Sequence, residues 1–204
     1  MRTTRTTSKV REIGGDIDRK GSVDTTGVIS FYRANERPYG VLSNLYRREI
    51  EFEGRIFPTS EHAYQAGKAL KPAVREWIQA APSPSLAAMA AHGLYTWDVV
   101  PDWANIKFDR MRAVLRAKFT QHPDLAEILI STGTKRLVEV GSVNNAVNRL
   151  WGEVNGKGKN MLGVMLMELR EEISNGLIEQ DSWLRRDEVS LDNRSLNEMR
   201  ADSQ

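Results

Sequence analysis

The residues with the clearest chemical potential lie between positions 61 and 68. Glu61, Gln65 and Lys68 stand at positions i, i+4 and i+7, so a helix would place all three on one face. The carboxyl and amino groups would then be about two turns, or roughly 10 Å, apart, which is too far for a simple intrahelical ion pair. The spacing fits a solvated polar face. It also fits a groove wall with an acid/base at one end and an amine nucleophile at the other.

Residues 156–160, with the sequence Gly-Lys-Gly-Lys-Asn, form a second candidate segment just before an apolar-periodic helix. Backbone N–H groups at such a helix start can hold phosphate. The segment lacks the Walker arrangement, so ATP hydrolysis is not predicted. The alternative is a flexible loop in which Asn160 caps the helix. Nearby, Trp151 is either a buried anchor or a stacking surface for a base or sugar.

Metal chemistry is not expected. The three histidines, His62, His92 and His122, are far apart in the sequence, and the chain contains no cysteine. Neither a thiolate site nor a clustered imidazole site is therefore predicted, and no cofactor is assigned. His62, which follows Glu61, fits a hydrogen-bonded core histidine better than a metal ligand.

The hydrophobic pattern predicts a helix-rich set of elements that would position these residues. Strands are predicted at 28–32, 49–52, 55–57 and 136–140, with a two-residue turn at Glu53-Gly54. Helices are predicted at 61–70, 73–80, 86–91, 103–119, 123–132 and 161–174. Thr59 or Ser60 would cap the first helix, and Ala104, Phe108, Met111, Leu115 and Phe119 would form the buried stripe of the fourth. Because strands and helices do not alternate, the pattern indicates one α+β domain at 28–176.

Composition sets the outer limits on function. The chain has 204 residues, 29 Lys and Arg against 27 Asp and Glu, and a net charge of +2. Residues 1–20 carry a net charge of +3 and belong to a leader, residues 1–27, that is predicted to be disordered. The nearly neutral remainder argues against broad duplex binding. Residues 177–204 fit a peripheral helix and tail. With neither a secretory signal nor an apolar run of about 18 residues, a cytoplasmic location is expected; an organelle transit peptide is the alternative.

Several motifs run through the predicted domain in a fixed order. They are Phe31-Tyr32, Tyr39-Gly40, Leu42-Ser43-Asn44, Pro58-Thr59-Ser60-Glu61-His62, Gln65, Lys68, Trp103, Met111-Arg112, Leu115-Arg116-Ala117-Lys118-Phe119, Trp151-Gly152, Gly156-Lys157-Gly158-Lys159-Asn160 and Leu162-Gly163. Over residues 29–175 this order resembles the NADAR family, also called the YbiA-like N-glycosidases. The resemblance implies a helix-rich YbiA-like fold.

The resemblance also implies a reaction, cleavage of the bond between ribose C1 and an amino group. Two substrate types are associated with the family: phosphoribosylated aminopyrimidine intermediates of riboflavin synthesis, and ADP-ribose attached to guanine bases of nucleic acid. Both present the same bond. We favour ADP-ribosyl-guanine, because a free-standing domain with a basic leader could approach a nucleic acid strand. The ribosylaminopyrimidine phosphate is the alternative.

Residue roles follow from the same resemblance. Glu61 matches the family's essential acidic position and would transfer a proton. Lys68 matches the lysine of the same helix and would form a Schiff base with C1; direct attack by water assisted by Glu61 is the rival route. The remaining candidates would bind substrate: Tyr39, Asn44 and Gln65 at sugar hydroxyls, Trp103 and Trp151 against ribose or base, Gly152 and Glu153 in the adjoining loop, and Lys157, Gly158, Lys159 and Asn160 at phosphate.

The chain departs from the family pattern after Trp151-Gly152. Members often carry Asp there and a further Gly beyond it, whereas Glu153 and Val154 stand in this chain. The loop geometry and any catalytic duty of Glu153 are therefore open. A different class of function is a non-catalytic module for ADP-ribose or NAD, which would use the phosphate loop and the aromatic side chains without a reactive Glu61–Lys68 pair.

Overall fold

A computed structural model describes residues 27–177 of the chain. Its strands are β1 (Val28–Phe31), β2 (Ile50–Phe52), β3 (Arg55–Phe57) and β4 (Arg136–Glu139). Its helices are α1 (Ser60–Ala66), α2 (Pro72–Gln79), α3 (Pro84–His92), α4 (Trp103–Gln121), α5 (Pro123–Ser131), α6 (Ala146–Trp151) and α7 (Met161–Ser174), with 3-10 helices at Tyr39–Leu42 and Thr96–Asp98. This helix-rich arrangement with a few short strands confirms the predicted α+β class.

The predictions for the two ends of the chain lie outside the described range. The leader, apart from residue 27, and the C-terminal segment, apart from residue 177, are not part of it. Between residues 27 and 177, no helix is both long enough and apolar enough to cross a bilayer.

The strands form two separate pairs. β1 and β4 are parallel, and Phe31 lies opposite Glu139, so both strands end at the same edge. β2 and β3 form the predicted antiparallel hairpin. Its turn residues, Glu53 and Gly54, have φ angles of 52° and 71°. These left-handed conformations give the turn the twist that a two-residue hairpin requires, which is why glycine is favoured at the second position.

Side-chain caps stand at the start of α1 and α3. The Thr59 hydroxyl accepts a hydrogen bond from the His62 N–H at the start of α1, and the Ser83 hydroxyl accepts one from Leu86 at the start of α3. Each cap satisfies a backbone donor that the helix itself leaves unpaired. Proline occupies the first turn of α2, α3 and α5, where its missing N–H causes no loss.

The first helix is shorter than predicted. It ends at Ala66 rather than at residue 70, because the following residues pair with the segment before α4. The Lys68 carbonyl accepts a hydrogen bond from Val100 N–H (2.9 Å), and Leu70 N–H donates to the Asp98 carbonyl (2.8 Å). Lys68 therefore lies in a turn beyond the helix, and the predicted common helical face holds only Glu61 and Gln65. The sequence analysis also missed α6 and both 3-10 helices.

Two hydrophobic clusters form the core, and α4 contributes to both. One joins β1, β4, α5 and α7 with Met111, Leu115 and Phe119 of α4; the other joins the hairpin and α1–α3 with Val114. The predicted buried stripe of α4 is correct from Met111 onward. Ala104 is exposed, however, because the buried part of the helix starts only at Met111.

A lysine on α4 lies wholly inside the core. The Lys118 side chain is 0% exposed, and its ammonium donates to the carbonyls of Val41 (2.5 Å) and Ser43 (3.0 Å). Burial lowers its pKa to about 7. These two carbonyls lie in and just after the 3-10 helix that precedes Asn44, so Lys118 supplies donors that this short helix does not provide.

This contact makes a prediction about stability. Lys118→Met leaves the buried Val41 carbonyl without a donor and the Ser43 carbonyl with only the Tyr46 N–H, and we expect it to lower the free energy of unfolding by about 1–3 kcal/mol. Urea denaturation at pH 8 measures the change. The control is Arg116→Met, on the same helix as Lys118. It removes an exposed ion pair with Glu172 of α7 and should change stability by less than about 1 kcal/mol. Equal effects of the two substitutions would contradict the role of Lys118.

Candidate active site

A pocket of about 410 Å³ lies where α1, α3, α4, α6 and the end of β4 meet. This volume is in the range of small-molecule sites. It brings together six residues that the sequence analysis selected from distant positions: Asn44, Glu61, Gln65, Lys68, Trp103 and Trp151.

Glu61 is the acidic group contributed by α1. It lies in the first turn of the helix, where its N–H donates to the Asn44 carbonyl (3.1 Å). Gln65, one turn later, donates from Nε2 to the Glu61 carboxylate (2.7 Å). Burial raises the pKa of Glu61 to about 7, although the Gln65 hydrogen bond acts in the opposite direction. Near neutral pH this carboxyl group can therefore both give and take a proton.

Lys68 reaches the pocket from the turn after α1. Its Nζ donates to the Ala91 carbonyl at the end of α3 (2.8 Å). Burial lowers the pKa of this amine, which increases the neutral fraction that can act as a nucleophile. His92 also lines the pocket, and burial together with the charge of Lys68 lowers its pKa.

Asn44 brings a free acceptor to the same wall. Its side chain is 6% exposed, and Nδ2 contacts the Met111 sulfur (3.1 Å). Within residues 27–177 no hydrogen-bond partner reaches Oδ1, although this atom is buried. Because buried polar atoms are rarely left unpaired, Oδ1 is a candidate acceptor for a donor on a bound ligand.

Aromatic rings form another side of the pocket. Tyr64 packs against Trp103 (ring centroids 5.4 Å apart) and against Trp151 (5.6 Å, edge to face). Phe108 contacts Trp151 from α4 (5.7 Å). Trp103 and Trp151 are each partly exposed and line the pocket. Both rings therefore pack against the core and leave part of their surface in the pocket, and contact of either ring with a ligand stays a prediction.

The other predicted site residues lie outside the pocket wall. Tyr39 packs against the core, and Glu153 forms an ion pair with Arg136. Lys157 and Lys159 are exposed. Gly152, Gly158 and Asn160 do not line the pocket either.

Asn160 has a different set of partners from those of a simple helix cap. It stands at the N-terminus of α7 with φ 51°, but its side chain makes no capping bond. Instead, Oδ1 accepts from Glu139 N–H (3.0 Å) and Nδ2 donates to the Leu137 carbonyl (2.7 Å). A Cβ at Gly152 would lie 2.3 Å from the Glu139 carbonyl oxygen. The segment from Gly152 to Asn160 therefore packs closely around the end of β4.

Sequence analysis missed several pocket residues, of which Glu139 is the most notable. It is the last residue of β4 and lines the pocket together with Glu61. Burial and the charge of Glu61 raise the pKa of Glu139 to about 7. One signal was available, since side chains at the carboxyl end of a parallel strand often face a binding crevice. Tyr32, His92 and Lys107 were also missed; Lys107 lies on α4 with its Nζ 5.0 Å from the Phe108 ring centroid.

His62 and His122 each form a hydrogen bond with a backbone carbonyl. His62 is buried, with Nδ1 2.7 Å from the Thr59 hydroxyl and Nε2 3.0 Å from the Ala81 carbonyl. This arrangement confirms the interpretation of His62 as a core residue. No group of three or more His, Asp or Glu side chains in the described part of the chain is arranged to hold a metal ion.

Comparison with known proteins identifies the family. The family model described as the NADAR domain matches residues 30–174, which include every residue of the pocket. The chain belongs to the NADAR family. The N-glycosidase YbiA of Shigella flexneri is 41% identical over 148 residues, covering 72% of this NADAR chain and 89% of that protein.

Two further relatives extend the comparison. The NMR structure of Escherichia coli YbiA has a TM-score of 0.67 and 38% identity, with 79% of this NADAR chain and 93% of that chain covered. A Vibrio vulnificus protein named as a riboflavin biosynthesis protein is 34% identical over 146 residues, covering 71% of this chain and 38% of that protein. These similarities confirm the predicted enzyme class: this NADAR protein is an N-glycosidase.

The raised pKa of Glu61 predicts how stability depends on pH. The folded protein binds this proton more tightly than the unfolded chain, whose carboxyl pKa is 4.5. Stability from this group is therefore present below pH 4.5 and is lost as the pH rises towards about 7. Glu61→Gln removes that loss. We expect the difference between the free energies of unfolding of Glu61→Gln and wild type to shift in favour of the variant by about 1–3 kcal/mol from pH 5 to pH 8.

Urea denaturation at both pH values tests this expectation. Glu127→Gln is the matched control, since Glu127 is an exposed carboxylate on α5. Its stability relative to wild type should be the same at pH 5 and pH 8. A Glu61→Gln difference that is equally independent of pH would show that Glu61 is not desolvated in the folded protein.

Proposed function

We propose that this N-glycosidase removes ADP-ribose from guanine bases of nucleic acid by cleaving the bond between ribose C1 and the guanine amine. The observation that supports the proposal most strongly is the shared pocket of Glu61 and Lys68, in which burial moves the pKa of the carboxyl group up and that of the amine down. An acid/base and an amine nucleophile are thus available together near neutral pH.

The proposed route uses both groups. Proton transfer by Glu61 opens the ribose ring to an imine at C1. The neutral Lys68 amine then adds to C1, and the guanine amine leaves with a proton, so that C1 becomes joined to Lys68 as a Schiff base. Water hydrolyses this imine and releases ADP-ribose. In the rival route, water attacks C1 directly with assistance from Glu61.

The remaining candidates would position the substrate. Asn44 Oδ1, which has no partner among residues 27–177, is suited to accept from a ribose hydroxyl, and Gln65 supports Glu61. The rings of Trp103 and Trp151 would contact the ribose or the base. Lys107 is the cation on the α4 side of the pocket, and the exposed Lys157 and Lys159 would meet phosphates outside it.

A second candidate substrate is a ribosylaminopyrimidine phosphate. A relative at 34% identity is named as a riboflavin biosynthesis protein, and intermediates of riboflavin synthesis include ribosylated aminopyrimidines. The reacting bond is the same, so the same two side chains would act on it. We favour ADP-ribosyl-guanine because the first twenty residues of the chain are rich in Arg and Lys, which favours approach to a polyanion.

Turnover of the two substrates in parallel tests the proposal. We expect wild type to release ADP-ribose from guanine-ADP-ribosylated single-stranded DNA, and Glu61→Gln and Lys68→Ala each to lower kcat by at least about 100-fold. Borohydride should trap an adduct of wild type at Lys68 but none of Lys68→Ala. Glu127→Gln, exposed on α5, should retain full activity.

Each other outcome has a defined meaning. Turnover of the ribosylaminopyrimidine phosphate alone would replace the proposed substrate with the second candidate. Full activity of Lys68→Ala without a trapped adduct would select direct attack by water. If neither substrate is cleaved while ADP-ribose still binds, the chain is a binding module and the proposal is wrong.

A further inference from the structure

Glu139 lines the pocket and has no role in the route above. It lies at the end of β4, whereas Glu61 lies on α1, and both side chains line the same pocket. The charge of Glu61 contributes to the raised pKa of Glu139. We propose that Glu139 is a second catalytic group, the acid that protonates the departing amine, while Glu61, once it has given its proton to the ring oxygen, acts as the base. This inference rests on the proposed N-glycosidase mechanism and deepens it.

The backbone of Glu139 is fixed on both sides. Its N–H donates to Asn160 Oδ1 (3.0 Å), and its carbonyl accepts from Glu153 N–H (2.7 Å). Gly152 packs so closely against that carbonyl that no larger residue would fit. Gly152 of the Trp-Gly motif, the adjoining Glu153 and Asn160 of the Gly-Lys-Gly-Lys-Asn motif therefore hold one strand end. Such support is typical of a residue whose side chain must be accurately placed.

Hydrogen bonding distinguishes the two carboxyl groups. Gln65 donates to Glu61, and a donor of this kind stabilises the ionised form. Among the described residues, no hydrogen bond reaches the Glu139 carboxyl group. Two adjacent carboxylates in one recess cannot both ionise easily, so the pair retains one proton, which Glu139 holds for longer.

Basic and phenolic side chains from the surrounding elements line the same pocket as Glu61 and Glu139. They are Lys68 after α1, His92 at the end of α3, Lys107 on α4, and the phenols of Tyr32 and Tyr64. Arg136, at the other end of β4, is already paired with Glu153. The Lys68 ammonium donates to the Ala91 carbonyl, which holds it at the end of α3.

The proton balance of the cleavage step is simple. The C1–N bond breaks, its electron pair stays on the amine nitrogen, and this nitrogen takes the proton of Glu139. Glu61 takes one proton from the group that attacks C1, which is either the Lys68 amine or water. In the Schiff-base route Glu61 thereby recovers the proton that it gave to the ring oxygen, and Glu139 recovers its own when water hydrolyses the protonated imine. In the direct route the proton passes from Glu61 to Glu139. No oxidant, reductant or further reactant is needed.

Dependence on the leaving group tests this role. The substrates are ADP-ribose joined through C1 to 4-methoxyaniline and to 4-nitroaniline; the nitro group makes the second amine much less basic, so its departure needs less help from an acid. We expect Glu139→Gln to lower kcat at least about 100-fold on the methoxyaniline substrate but less than about 10-fold on the nitroaniline substrate, with KM nearly unchanged. Glu139→Asp should recover part of the loss, and Glu127→Gln should match wild type.

The pH profile supplies a second readout that a purely structural role would not change. The kcat of wild type should fall above about pH 7 as the pair loses its shared proton, whereas Glu139→Gln should lack that fall. Melting temperatures establish that Glu139→Gln is folded. An equal loss of kcat on both substrates, or an unchanged alkaline limb, would overturn the inference.

The two proposals fail in different ways. If Glu61→Gln is inactive while Glu139→Gln equals wild type, the proposed function stands and the role of Glu139 is wrong. If only the ribosylaminopyrimidine is cleaved, the Glu139→Gln kinetics on that substrate decide the role of Glu139. If wild type cleaves none of these compounds, the proposed function itself has failed, and this inference with it.

Discussion

The site depends on one electrostatic constraint, the placement of two carboxyl groups in a single recess. Glu61 and Glu139 come from separate elements, and desolvation raises the pKa of each to about 7. Bringing such groups together opposes folding, because each is less stable as an anion there than in water. The rest of the fold must therefore hold the two pocket walls together against this repulsion. Hydrophobic packing can supply the stability, but it does not fix where each carboxyl group lies.

Two buried polar side chains supply that positioning. Lys118 donates to the carbonyls of Val41 and Ser43 just before Asn44, and Asn160 bonds the backbone of Leu137 and Glu139. Both hold pieces of chain whose backbone groups regular secondary structure does not fully satisfy. Buried backbone groups must nevertheless be paired, so a side chain from a distant element does this and fixes the position of the neighbouring pocket residue.

Local sequence signals were sufficient for most elements and for part of the site. Helix α7 and the β2–β3 hairpin follow from periodicity and a glycine turn, and Glu61 follows from its motif. Glu139 could not be found in this way, because its importance arises from the parallel pairing of β1 with β4 across about a hundred residues. The loop at 156–160 has the local composition of a phosphate site, yet its Asn160 bonds a strand that precedes it by more than twenty residues. No local pattern encodes such contacts.

Burial gives the pocket its chemistry as well as its constraint. In water a carboxyl group and a lysine amine differ by six pKa units, with ordinary values of 4.5 and 10.5, so a proton moves between them at a large free-energy cost. Desolvation disfavours both charged forms, raising the pKa of Glu61 and lowering that of Lys68. One physical effect therefore brings acid and amine closer in proton affinity. The proposed route, in which a leaving amine is protonated and a neutral amine attacks, needs this convergence, and a recess lined by aromatic rings provides it.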